Sequence, residues 1–125
     1  MQLTPHFSLE EFGGVPKGKL PAVQLVAERL EVVRAAIGKP IVITSGYRSP
    51  AHNKAIGGAP NSAHIRGLAA DYQVSGFTSL GLAEATREAL RAAGEPWDQI
   101  IWYASDRHCH LGLDLRMRGQ MFRGA

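Results

Sequence analysis

The chain has 125 residues, of which 45% are hydrophobic and 20% charged, with a net charge of +3 and a pI of about 9.4. That length suits one domain with a real core, and no apolar run approaches the roughly 20 residues of a membrane span. The positive charge favours an acidic polymer such as nucleic acid, a membrane surface or the bacterial cell wall, but the basic residues are scattered apart from Arg116, Arg118 and Arg123, with no aromatic-interleaved stripe, so nucleic-acid binding is not expected.

The first residues, Met1 to Phe7, lack a charged segment followed by an apolar one. Synthesis in the cytoplasm without a signal peptide is therefore expected. Ser8 and Glu11 have capping-box spacing and predict a short helix stopped by Gly13-Gly14. Pro21 fits the first turn of a second helix, in which Val23, Val26, Leu30, Val33 and Ile37 share one face. Gly38 ends that helix and Pro40 prevents its return. Ile41 to Thr44 reads as a buried strand. A loop over Ser45 to Pro50, a short helix near Ala51 to Ile56 and a turn-rich loop over Gly57 to Asn61 follow. Leu68 to Val74 should be extended. Thr78 or Ser79 caps a third helix running to about Ala93, ended by Gly94 and Pro96. Gln99 to Tyr103 and His108 to Leu113 read as a hairpin joined by Ala104 to Arg107. The tail after Asp114 has no clear period. Mixed elements without regular βαβ alternation predict an α+β fold with an antiparallel sheet, and residues 1–125 form a single domain.

His64, Asp71 and His110 carry the chemistry. Two imidazoles and one carboxylate suit a catalytic zinc ion, which takes three protein ligands and keeps a fourth position for water. His64 ends a loop and Asp71 lies seven residues on in a strand, so a bend is needed, and Gly67 offers the backbone freedom for it. Ala69 should share the face of Asp71 and leave room beside it. His108 and His110 are two apart on a strand and face the same side. One of them would bind metal while the other serves as acid, base or hydrogen-bond donor. His6 and His52 have no partner nearby in sequence and are not expected to be ligands. Cys109, the single cysteine, excludes an internal disulfide and reads as a small buried side chain.

Ser62-x-His64-x-x-Gly67-x-Ala69-x-Asp71, followed by His108-x-His110, resembles the zinc D-Ala-D-Ala carboxypeptidase family, peptidase family M15, which includes phage endolysins. Thr44 to Pro50, Asn53, Gly57-Gly58, the opening Leu3 to Phe12, and Trp97 to Ile101 fit as well. The likeness covers nearly the whole chain in order. It implies a Hedgehog/DD-peptidase-like fold with an antiparallel sheet lining a zinc cleft.

By motif position the resemblance implies His64, Asp71 and His110 as Zn2+ ligands. It implies Arg48 as a contact to a substrate carboxylate or carbonyl, with Ser62 lining the cleft and Tyr47 beside Arg48 able to reach substrate. The family's general base is often an acidic residue three positions before the last histidine ligand, and here that position holds Arg107. Asp106 is one residue further back, and His108 is the alternative base. Trp97, Trp102 and Tyr103 are candidates for a cleft wall, and Asp98 and Asp114 are expected to be structural. The implied activity is hydrolysis of peptidoglycan stem peptides by a monomer without membrane insertion. The implied setting is a phage or prophage lysis enzyme, released by a holin or carried on a virion. A non-catalytic zinc-containing module binding cell wall or protein is the alternative.

Overall fold

The fold grows from a sheet with two unlike faces. In the computed structural model, which describes residues 1–125, the strands are β1 (Gln2–Thr4), β2 (Phe7–Ser8), β3 (Val42–Ser45), β4 (Ala69–Gln73), β5 (Gln99–Trp102), β6 (Cys109–Gly112) and β7 (Gln120–Arg123). The helices are α1 (Leu20–Ile37), α2 (Pro50–Ala55) and α3 (Ser79–Ala93). The main sheet has the order β3-β4-β6-β5-β7. Its first four strands pair antiparallel, as expected, and β7 adds a parallel edge beside β5.

Successive strand residues point to opposite faces. Ala70, Tyr72, Ile100, Cys109 and Leu111 are fully buried on one face. They pack with Val23, Val26, Ala27, Leu30 and Val33 of α1, and with Leu82, Ala83, Ala89 and Leu90 of α3, in one core. Each such Val or Leu contributes about 1.5–3 kcal/mol relative to an exposed position. Of the apolar stripe expected in α1, Val23, Val26, Leu30 and Val33 are buried, while Ile37 at the helix end is half-buried against the core. Tyr72 brings its hydroxyl into this core and bonds it to Thr86 Oγ1 at 2.5 Å, so no polar atom is stranded.

The helix ends follow local chemistry. Thr78 caps α3 by accepting from the Gly81 N–H, and α1 and α3 end at Gly38 and Gly94. The short helix expected at Ser8 to Glu11 is a single 3-10 turn over Leu9–Phe12, with the Ser8 N–H donating to Glu11 Oε2 at 2.6 Å. The β1–β2 pair lies against α1, where the Gln24 side chain donates to the Leu3 carbonyl.

The unassigned tail is an ordered return. Asp98 accepts from the Arg118 N–H at 2.9 Å and from its Nε and Nη2 at 2.8 and 2.9 Å. The Gly119 N–H then donates to the Trp97 carbonyl and the Gln120 N–H to the Asp98 carbonyl, which delivers β7 to β5. Trp97 is 8% exposed and donates Nε1–H to the Gln120 carbonyl; it belongs to the core rather than to a cleft wall. No helix is long and apolar enough to cross a membrane.

Candidate metal centre

The face away from α1 and α3 holds the candidate site. Strand register sets Asp71 of β4 opposite His110 of β6, and His110 opposite Ile101 of β5. Ser45 of β3 stands on the other side of Asp71. His64 arrives from outside the sheet. The Ile65 N–H bonds to the Ser62 carbonyl, Arg66 N–H to Ala63, and Gly67 N–H to His64, a run of tight turns. Gly67 reverses the chain at φ +71°, a conformation that costs glycine little. The Leu68 N–H bonds back to the Ala63 carbonyl, and β4 begins.

The side chains converge. One ligand atom each from His64, Asp71 and His110 lies within 4.8 Å of the others. His110 Nδ1 is 2.9 Å and His64 Nε2 3.4 Å from Asp71 Oδ1, with the two rings edge to face at 5.1 Å. His64 and Asp71 are 3% and 8% exposed. Burial alone would raise the Asp71 carboxyl, but hydrogen bonds from His110 and His64 outweigh it and hold the group well below the usual carboxylate range. Three nitrogen and oxygen donors aimed at one point, one of them an ionised carboxylate, fit a borderline divalent ion.

The surroundings fix these ligands. His64 Nδ1 is 2.7 Å from the Gly46 carbonyl oxygen. A carbonyl only accepts, so Nδ1 carries the proton and Nε2 presents its lone pair to the centre. Arg48 donates Nη2–H to Asp71 Oδ2 at 3.3 Å, Nε–H to Ser45 Oγ at 3.2 Å and Nη1–H to Asn53 Oδ1 at 3.4 Å. Its backbone N–H also holds the His64 carbonyl. Asn53, 1% exposed, donates in turn to the Ala59 carbonyl at 2.8 Å.

His108 lies beside this centre. Trp102 pairs with Cys109, so Tyr103 and His108 occupy the next register position, and their rings meet at 4.5 Å. Asp106 Oδ1 accepts from the Arg107 N–H at 2.6 Å, the His108 N–H at 3.2 Å and His108 Nδ1 at 2.9 Å. The hydrogen bond from the His108 ring, followed by the two backbone donors, lowers the Asp106 carboxyl. Burial pushes the Tyr103 phenol up, with the Asp71 charge adding to it.

Other expected positions are less central. Ser62 accepts the His64 N–H on Oγ at 3.2 Å, a turn cap, and also lines a cleft with His110. Tyr47 ties its backbone N–H to the Phe12 carbonyl and lines a separate cleft with Arg48 and His52. His6 pairs with Glu31 at 3.0 Å and is not among the converging groups, and Cys109 is buried on the opposite face. Reading the sequence missed the Gly46 carbonyl; the only signal was a glycine directly after a strand, two residues before an arginine of interest.

Residues 6–112 match the profile of the family described as Peptidase M15. Over 60 residues the chain is 42% identical to the zinc D-Ala-D-Ala carboxypeptidase of Streptomyces albus G, a match covering 47% of this chain and 24% of that protein. The chain thus aligns to about a quarter of that relative's length. The crystal structure of the Serratia marcescens L-Ala D-Glu endopeptidase ChiX shares the fold, with a TM-score of 0.50, 21% identity, and coverage of 87% of this chain and 97% of that one.

Proposed function

Because the chain belongs to the peptidase M15 family, we propose that it is a zinc-dependent peptidase acting on the stem peptides of bacterial peptidoglycan. The observation that carries this reading is the convergence of His64, Asp71 and His110 within 4.8 Å, on the sheet face away from α1 and α3. Zinc, when held by three such ligands, keeps a fourth position for water, lowers that water's pKa and polarises a carbonyl.

The remaining tasks fall to the chain's own side chains. His108 is the proposed general base. Asp106 fixes its Nδ1–H, which leaves Nε2 to take a proton from the attacking water and pass it to the leaving amine. Asp106 serves as the orienting carboxylate, the division of labour seen whenever an acid holds a histidine in one tautomer. Two residues along a strand place His108 about 6.6 Å from His110, within reach of the centre through one water. Arg107 at the family's usual base position is then replaced in its task by its two neighbours. Arg48 holds Asp71 with one of its five N–H donors, Ser45 with another and Asn53 with a third, leaving two for a substrate carboxylate or carbonyl. Tyr47 and Ser62 border the clefts on either side and are proposed substrate contacts. The net charge of +3 favours the acidic polymers of a bacterial wall, the setting in which a phage or prophage lysis enzyme works.

The test is digestion of purified peptidoglycan by the zinc-loaded chain. New amino groups should appear, and should not appear after chelation or in His64→Ala. Fragment masses would separate cleavage at D-Ala-D-Ala from cleavage at L-Ala-D-Glu. Protein purified without chelators that holds no zinc, or wall that gains no amines, would refute the proposal.

A further inference from the structure

A cleft of about 290 Å3 leads away from His110, lined among others by Ser62, Arg66, Gly112, Arg116 and Arg118. Its floor is β6. Gly112 follows His110 on the same face, and a Cβ there would lie 3.1 Å from His110 Nε2. The absent side chain is what keeps the cleft open up to the metal ligand.

The charges at its far end do not cancel. Arg118 is matched by Asp98, whose two oxygens both face its guanidinium. Arg66 and Arg116 share one carboxylate. Asp114 Oδ1 accepts from the Arg116 N–H and Nε–H at 3.0 Å, and Oδ2 accepts from Arg116 Nη2 at 3.3 Å and faces Arg66 Nη1 at 2.9 Å. Three guanidiniums thus meet two carboxylates, and the surplus positive charge falls on the Arg66–Arg116 pair. Their side chains are 41% and 63% exposed, whereas the Asp114 side chain is 12% exposed. Arg66 spends one N–H on Asp114 and keeps four of its five. Solvent-facing N–H groups around a saturated carboxylate select an anion, and planar guanidinium suits a carboxylate.

We propose that this cleft is a subsite for a carboxylate on an acidic peptide, held by Arg66 and Arg116 while the scissile bond lies at His64, Asp71 and His110. The inference rests on the peptidase reading for the placement of the scissile bond. Asp114 is four residues beyond His110 and two past the end of β6, at most about 13 Å away for an extended chain, and the arginine side chains reach back over part of that span. The carboxylate therefore sits one to three residues from the bond that is cut. Arg48 lies on the other side of Asp71, in a different cleft, so the two anion contacts are separate.

The probes are L-Ala-γ-D-Glu-L-Lys-D-Ala and its twin with the glutamyl carboxylate converted to a carboxamide, both amidated at the C-terminus and carrying a fluorophore. Binding to the full chain is read by anisotropy with and without zinc, and turnover is read with zinc. The carboxylate peptide should bind about 10- to 100-fold more tightly than its twin, as for one charge-assisted pair. The double variant Arg66→Gln, Arg116→Gln should abolish that difference through the carboxylate peptide alone. Asp114→Asn, which keeps both arginines and removes their internal anion, should widen it. Discrimination that survives the double variant, equal losses for both peptides, or a narrowed preference in Asp114→Asn would overturn the proposal. Absence of turnover of wall peptides refutes the peptidase reading instead, and the anisotropy series still decides the subsite.

Discussion

The Gly46 carbonyl and the His64 ring meet at 2.7 Å, so a backbone oxygen in the loop after β3 sets the tautomer of a proposed metal ligand 18 residues away. Gly46 has no room for a side chain. A Cβ there would lie 2.7 Å from Phe12 Cα and 2.8 Å from the Phe12 carbonyl oxygen. Both are backbone atoms, so the loop itself must move. Gly46→Ala should weaken zinc binding about 10- to 100-fold, the usual cost of losing a partner behind a metal ligand. Competition titration with a chromophoric chelator measures this, and an unchanged affinity would remove Gly46 from the site.

The ligands themselves should behave more severely. His64→Ala and Asp71→Ala should purify without stoichiometric zinc, as judged by elemental analysis. In the unaltered chain, zinc at 100 times its dissociation constant should stabilise the fold by about 2.7 kcal/mol. Thermal melts with and without zinc should therefore differ for the unaltered chain and coincide for both variants.

Asp106 and His108 can be separated by kinetics. His108→Gln should lower kcat by about 10²- to 10⁴-fold, the range for a general base, with zinc retained. Asp106→Asn keeps the histidine but weakens its fixed Nδ1–H contact, so its loss should be smaller. The reverse ranking would make Asp106 the base and His108 its partner.

Asp98 anchors the return to β7, and its removal should show in acid. The hydrogen bond from Arg118 lowers its carboxyl, against a smaller opposing effect of burial. A carboxyl lowered by folding stabilises the fold above its unfolded value of about 3.9 and loses that contribution as pH falls through the folded value. Asp98→Asn should thus cost about 1.5–3 kcal/mol at neutral pH, where a charged hydrogen-bond partner is lost. The gap between variant and unaltered chain should close below about pH 4. Denaturant melts at several pH values check both claims.

Local chemistry made α1 and α3 legible, because an apolar stripe and a capping residue are properties of neighbouring residues. β7 was not, since Gln120 to Arg123 becomes a strand only when Asp98 captures Arg118 and Trp97 captures Gln120. The same divide runs through the metal centre. His64, Asp71 and the His108-x-His110 pair stood out by residue type and spacing, and the family resemblance implied His110 as the third. The Gly46 carbonyl did not stand out, because any residue carries one and only the tertiary path of the loop aims it. Asp98 and Asp114 were expected to be structural. Asp98 pairs with Arg118 and Asp114 with Arg66 and Arg116, and the excess of arginine around Asp114 depends on two chain segments meeting.

Strand β6 reads Cys109, His110, Leu111, Gly112: core, proposed ligand, core, cleft lining. Alternation makes that strand intolerant of a change in length. Loss or gain of one residue within it would turn a histidine into the core and a leucine toward the metal in a single step. The turn from Ala104 to Arg107 lies outside the paired residues, so a change in its length spares the strand register and acts instead on the Asp106–His108 contact. Length variation in descendants of this sequence should therefore collect in that turn, where it shifts the acid beside the centre and leaves the ligand register untouched.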